Sequence, residues 1–108
     1  IHTPAAKAAP RALAMAGAKL SDVTQCQIYD CYTITVLLSI EDAGFCGKGE
    51  GMSFVASHDL TYAGDFPVNT HGGQLGFGQG AGNQIGQFIG RWRSCVHGQA
   101  NGGIQCAF

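Results

Sequence analysis

Charge is scarce in this chain. Asp, Glu, Lys and Arg make up 12% of its 108 residues, roughly half the share usual in soluble domains. The 6 basic and 7 acidic residues nearly cancel, leaving a formal net charge of -1. No field of either sign exists to attract nucleic acid or an anionic membrane surface. The 45% of hydrophobic residues excludes disorder, and so few charges imply that part of the apolar surface packs against something else. Long apolar runs are also missing. Ile34 to Ile40 is the longest candidate, far short of the ~20 residues of a membrane helix. No charged segment followed by an apolar stretch opens the chain, so no secretory signal is expected.

A cysteine framework is lacking as well. Cys26, Cys31, Cys46, Cys95 and Cys106 are odd in number, and the sequence has no CxxC pair and no N-x-S/T sequon. Reduced thiols in a cytoplasmic protein are the expectation. Cys95-Val96-His97 has no second cluster at ligand spacing, so no metal is expected.

After Asp65 the chain contains no Asp or Glu at all. That absence decides the reading of Gly76-Phe77-Gly78-Gln79-Gly80-Ala81, which matches GxGxxA ahead of a helix. A dinucleotide site needs an acidic residue about twenty positions later to hold the ribose, and none is present. Two readings survive. One is a glycine-lined turn presenting backbone N–H groups to a ligand oxygen; the other is glycines required only for close backbone approach.

At 108 residues the chain fits one domain, spanning 1–108. Thr3 as cap, Pro4 in the first turn and Gly17 past the end punctuate a helix over Pro4 to Ala16, with Pro10 predicting a kink or a late start. Leu20 to Val23 links into a short strand, Gln25 to Tyr29, in which Cys26 and Ile28 share a face. Val36, Leu37, Ile40 and Ala43 form one stripe of a buried helix beginning at Thr33 or Thr35 and closed by Gly44. A short strand is expected at Met52 to Ala56. Ile85, Phe88, Ile89 and Trp92 fall at helical spacing. Cys95 to His97 and Ile104 to Phe108, joined by Gly98 to Gly103, predict a hairpin. Together these are an α/β fragment, a mixed sheet layered with helices.

Four short motifs carry polar groups beside turns. Tyr29-Asp30-Cys31-Tyr32 sits at a strand end, where α/β folds place reactive side chains, although Tyr and Cys also pack well at such corners. Asn69-Thr70-His71-Gly72-Gly73 sets an amide and an imidazole next to glycines, and imidazole serves as acid or base near neutral pH. A turn histidine without chemistry has the same appearance. The Gly76–Ala81 run and His97-Gly98-Gln99-Ala100-Asn101-Gly102-Gly103 complete the set.

The order of these motifs resembles the second half of sterol-carrier-type, or lipid-transfer-protein, thiolases. Tyr29 to Tyr32 resembles their HDCF strand end. Asn69 to Gly80 resembles their NxxGGxxxxGHP segment, and His97 to Gly103 their histidine-headed turn. Leu20-Ser21-Asp22-Val23 is similar to the link that opens this domain. Asp42-Ala43-Gly44-Phe45-Cys46 with Lys48-Gly49-Glu50-Gly51 is similar to the family's ED-GFC-KGEG stretch. Three positions depart from the pattern or shorten it. Gln79 stands where the GHP histidine belongs, and an amide cannot transfer the proton. Tyr29 replaces the His or Asn of the oxyanion hole. Arg91-Trp92-Arg93-Ser94 runs almost directly into Cys95, where the family has a longer stretch.

The resemblance implies a thiolase-like half-domain, with the N-terminal half and its nucleophilic cysteine outside this sequence. With Tyr29 and the NTHGG turn it is closest to the steroid side-chain aldolases. That branch implies retro-aldol cleavage of a β-hydroxyacyl-CoA, with Tyr29 as acid/base or enolate donor and His71 and His97 in proton transfer or positioning. Cys31 is a candidate secondary acid/base, or simply a small buried hydrophobe. Asn69 and the backbone N–H groups around Gly72, Gly73 and Gly98 would bind substrate. The resemblance further implies a coenzyme A thioester as substrate with no bound cofactor, a homodimer, and a small OB-fold (DUF35-type) partner. A non-catalytic scaffold that binds acyl-CoA or lipid is the alternative; so is acyl transfer, if an upstream nucleophilic cysteine exists.

Overall fold

A computed structural model describes residues 1–70, 72–77 and 104–107, with Phe77 and 104–107 described by their backbone alone. Helix α1 spans Ala5–Ala16. Its buried residues Ala5, Ala9 and Leu13 recur every four positions, forming one face that packs against the second helix, α2 (Thr33–Ala43). The small alanines let the two backbones approach closely. α1 starts at Ala5 and continues past Pro10, so the late start is not found; Pro10 lies on the exposed side.

The start of α1 also differs from expectation. Pro4 occupies the cap position, and no side chain among the described residues caps the helix. Thr3 is drawn elsewhere, because its backbone N–H donates to the Asp42 carboxylate. The far end behaves as the sequence indicates. Gly17 is left-handed at φ 63, a conformation glycine adopts at little cost.

A 3-10 turn at Leu20–Asp22 leads into strand β1, Val23–Gln27, which begins two residues earlier than the sequence predicts. Cys26 and Ile28 are both buried. They join Leu13, Val23, Ile40 and Phe66 in the core, with Phe45, Phe54, Val55, Leu60 and Val68 packed around them. Helix α2 matches its predicted span, burying Ser39, Ile40 and Ala43 and ending on left-handed Gly44.

The segment expected as a strand at Met52 to Ala56 is instead helix α3, Gly51–Ser57. Local β-branched and aromatic content favoured a strand, but tertiary contacts decide otherwise. The Glu41 carboxylate accepts the Gly51 N–H at 2.9 Å, engaging a donor that the first turn leaves unpaired. Helical spacing also stacks Phe54 on His58 with ring centroids 4.1 Å apart. Four residues of strand would separate these rings by about 13 Å. Phe54 and Phe45 then meet Phe66 edge to face, at 5.3 and 4.9 Å.

The segment Lys48–Gly51 and the chain start are fastened to the end of α2 by charge. The Asp42 side chain is only 1% exposed. It accepts from Lys48 Nζ at 2.8 Å and from the Thr3 N–H, and its Oδ1 lies 2.9 Å from His2 Nδ1. Lys48 Nζ also reaches Glu41 at 3.4 Å. Bonding to Lys48, then to Thr3, holds the Asp42 carboxyl well below the usual carboxylate range. The neighbouring Glu41 carboxyl is lowered too, first by the backbone N–H groups of Gly49 and Gly51.

Loop 58–66 delivers the chain back to β1. It is folded by the Asp59 N–H donating to Asp65 at 2.6 Å and the Thr61 N–H donating to Asp59 at 3.0 Å. Val68 then bridges Cys26 in parallel: Cys26 N–H donates to the Pro67 carbonyl and Asn69 N–H to the Cys26 carbonyl, both at 3.0 Å. Helix α4 (Gly73–Phe77) follows. Strand β2, Ile104–Ala107, pairs with β1 in parallel, with Cys26 opposite Cys106. Because both polar groups of Cys26 face 67–69, β2 occupies the other edge of β1.

Phe108 lies outside the described residues, and the strand expected at Ile104–Phe108 is found over Ile104–Ala107. Its predicted hairpin partner at 95–97 lies outside the described residues, as does the helix through Ile85 and Trp92. Among the described residues the sheet has two strands, both parallel, so the mixed sheet goes beyond what they contain. No helix among them is long and apolar enough to cross a membrane.

Candidate active site

Two of the four motifs meet at the end of β1. The strand runs out at Gln27 and continues through Ile28 to Tyr29-Asp30-Cys31-Tyr32, ahead of α2. The turn of the second motif, Asn69 to Gly73, lies against it. Asn69 is the one described non-glycine residue at positive φ, 50°; Asn tolerates this region because its short amide can bond locally. Here the amide bonds across to the strand. Asn69 Oδ1 accepts the Ile28 N–H at 2.7 Å, and Nδ2 donates to the Ile28 carbonyl at 2.8 Å. A second link, Gln25 Nε2 donating to Thr70 Oγ1 at 3.1 Å, ties the same turn to β1.

Asn69 carries the substrate-binding assignment made on the sequence. The geometry supports a supporting role first, since each end of its amide is engaged by Ile28. Gly72, at φ 99, donates its N–H to the Asn69 carbonyl at 2.9 Å and accepts from the Gly76 N–H at 3.0 Å. Its N–H therefore serves the turn. Gly73, at φ 63, is buried, and its N–H has no partner among the described residues.

Sequence reasoning passed over Asp30. Its carboxylate oxygens lie 3.1 and 3.3 Å from the Gln74 backbone nitrogen and accept its N–H. The signal was present: nothing after Asp65 can supply a carboxylate to the start of α4, and Asp30 stands in the motif that meets it.

Tyr29 and Cys31 flank Asp30. Tyr29 is 45% exposed and Tyr32 is 72% exposed, so the Tyr29 ring is accessible to a ligand at this end of the sheet. Cys31 is half-buried, and its Sγ lies 3.5 Å from Thr35 Oγ1 in the first turn of α2. His71, His97, Gly98 and Gln79 lie outside the described residues. The other two histidines serve elsewhere, His2 on Asp42 and His58 on Phe54. Among the described residues no group of three His, Cys, Asp or Glu side chains is placed to hold a metal ion.

A family described as "Thiolase C-terminal domain-like" matches residues 1–104. A 17-hydroxy-3-oxo-4-pregnene-20-carboxyl-CoA lyase of Mycobacterium tuberculosis is 44% identical over 63 residues, covering 58% of this chain and 16% of that protein. A steroid side-chain-cleaving aldolase of Thermomonospora curvata shows the same identity and coverage, 44% over 63 residues, 58% and 16%. Sterol carrier protein 2 of Oryctolagus cuniculus is 33% identical over 72 residues, 67% of this chain and 13% of that one. Among solved structures, an Ltp2-ChsH2(DUF35) aldolase superposes with a TM-score of 0.68 at 33% identity, over 85% of this chain and 24% of that one. The chain thus spans about a sixth of the length of the first two curated relatives.

Proposed function

The chain belongs to the thiolase C-terminal domain-like family, and on that premise we propose that the whole protein cleaves a carbon–carbon bond in a β-hydroxyacyl-CoA by a retro-aldol reaction. A steroid side-chain intermediate is the proposed substrate. The observation that carries this reading is the meeting of Tyr29-Asp30-Cys31 with the Asn69–Gly73 turn at the end of β1, in a chain that is 44% identical over 63 residues to a lyase and an aldolase named for steroid substrates.

The chemistry asks for a base and hydrogen-bond donors, with no covalent nucleophile. A base takes the proton of the β-hydroxyl, its C–O bond becomes a carbonyl, and the Cα–Cβ bond breaks. The released electron pair moves onto the thioester as an enolate, which then takes a proton at Cα. The products are a ketone or aldehyde and a shortened acyl-CoA. Tyr29, accessible at the strand end, is assigned as enolate donor or acid/base. His71 and His97 are assigned to proton transfer or positioning. Cys31 is the secondary acid/base. Gly73 and Gly98 are assigned as backbone donors to the thioester oxygen. Asn69 and Gly72 complete the substrate-binding set by shaping the turn that presents them.

The reading includes a coenzyme A thioester as the only nucleotide-bearing component, with no bound cofactor. It also includes a homodimer, a cytoplasmic location, and a DUF35-type OB-fold partner like the component named in the structural neighbour. Gln79, in place of the family's GHP histidine, favours a second reading: a thiolase-like scaffold that binds acyl-CoA without turning it over. Product analysis of the full-length protein with a steroid β-hydroxyacyl-CoA separates the readings. Stoichiometric ketone and shortened acyl-CoA support the aldolase. Binding with no product supports the scaffold, and acyl exchange into free coenzyme A would place it with the acyl-transferring thiolases.

A further inference from the structure

Asp30 has no chemical step in the retro-aldol scheme, yet it makes the contact that joins the two motifs. Its carboxylate accepts the Gln74 N–H through both oxygens, at 3.1 and 3.3 Å. It also fills the space beside the glycine pair: a β-carbon on residue 73 would stand 1.8 Å from Asp30 Oδ2 and 2.9 Å from its Cγ. Gly73 at φ 63 therefore leaves the room that the carboxylate occupies. On its other side the turn is already fixed by Asn69 to Ile28.

We propose that Asp30 is a positioning residue, which through the Gln74 N–H fixes the Gly72–Gln74 turn against the strand end carrying Tyr29 and Cys31. Its effect on rate rests on the retro-aldol reading; the contact itself rests on geometry alone. A bond from a backbone N–H to an ionised acceptor is among the stronger hydrogen bonds. Asp30 also sits between two residues assigned to the chemistry, so a shift of the turn moves it relative to both. Misplacement of reacting groups by about 1 Å is enough to cost on the order of 100-fold in rate.

The test uses the full-length protein with Asp30→Ala, Asp30→Ser and Asp30→Asn, read by steady-state kinetics and by hydrogen exchange of the Gln74 amide. Asparagine retains a carbonyl oxygen for the Gln74 N–H; alanine has none, and serine is too short to reach. The expected result is a fall in kcat of about 10- to 100-fold for D30A and D30S, with KM nearly unchanged and Gln74 exchanging fast. D30N stays close to wild type in kcat and in Gln74 protection, and the pH profile of kcat keeps its shape. Equal loss in D30N and D30A, or a missing limb of the D30N pH profile, would show that the carboxylate acts in proton transfer and overturn the proposal. Unchanged Gln74 protection in D30A overturns it as well. If D30A does not fold, D30S and D30N carry the same comparison. If the wild-type protein turns over no β-hydroxyacyl-CoA, the functional reading fails, and Gln74 exchange alone decides the role of Asp30.

Discussion

Asn69 spends both ends of its amide on one residue, accepting from the Ile28 N–H at 2.7 Å and donating to the Ile28 carbonyl at 2.8 Å. A side chain here imitates a β-ladder partner, extending the pairing of β1 by one residue beyond the point where the incoming segment turns away at φ 50. This clasp sets where the Asn69–Gly73 turn stands against the strand end.

Removing the clasp leaves two backbone groups of Ile28 without partners, each worth about 1–3 kcal/mol where water cannot reach. Asn69→Ala also forces a β-carbon residue without local bonding into the left-handed region, at about 1 kcal/mol more. Asn69→Gly loses the bonds and keeps the conformation. Denaturant titration should rank wild type above N69G and N69G above N69A. Equal losses in the two variants would mean that the left-handed backbone carries no strain.

Gly17 and Gly73 share φ 63, but only Gly73 is crowded. A β-carbon at Gly17 meets nothing within 4 Å among the described residues, so Gly17→Ala should cost about 1–2 kcal/mol, the left-handed penalty alone. Gly73→Ala adds displacement of the Asp30 carboxylate, and overpacking typically adds about 1–3 kcal/mol. Thermal unfolding of both variants measures the difference. A G73A protein as stable as G17A would contradict the Asp30–Gly73 contact.

Acid should loosen the junction between α1, α2 and the segment Lys48–Gly51. The Asp42 carboxyl is depressed in the folded protein from an ordinary value of 3.8. A depressed carboxylate contributes its stability fully above the unfolded value and loses it as pH falls through the folded one. Glu41, also lowered, acts in the same direction. Stability measured from about pH 6 down to about pH 2 should therefore fall below pH 4. Asp42→Asn should be less stable at neutral pH and show a shallower acid decline. An unchanged slope would remove Asp42 from the account.

Burial, then the nearby carboxylates of Glu41 and Glu50, push the Cys46 thiol up. Since the thiolate is the reactive form, Cys46 should alkylate more slowly than free glutathione at mildly alkaline pH. Peptide mapping after timed iodoacetamide treatment reads this directly. Labelling of Cys46 at the glutathione rate contradicts the environment described.

Much of this could be read without coordinates, for definite physical reasons. α2 announced itself through the stripe of Val36, Leu37, Ile40 and Ala43 and a closing glycine, both local signals. The end of α1 was equally plain at Gly17. Its start was not, because Asp42, 39 residues further along, takes the Thr3 N–H that a local reading reserves for capping. α3 was missed for the same kind of reason: Glu41 and Phe66 act on Gly51 and Phe54 from elsewhere in the chain. At the site, motif order brought out Tyr29, Cys31 and Asn69. It gave no indication that Asn69 clasps Ile28, or that Asp30 fills the space beside Gly73, since both depend on how loop 58–66 returns to β1.

Tyr29, exposed at the end of β1, is the side chain on which the proposed carbon–carbon cleavage most depends. The most direct test is single-turnover cleavage of a steroid β-hydroxyacyl-CoA by full-length wild type and Tyr29→Phe, with substrate affinity measured alongside. Loss of the phenolic hydroxyl should slow cleavage by about 100-fold or more, with affinity retained. Cleavage by Tyr29→Phe at the wild-type rate would contradict the account.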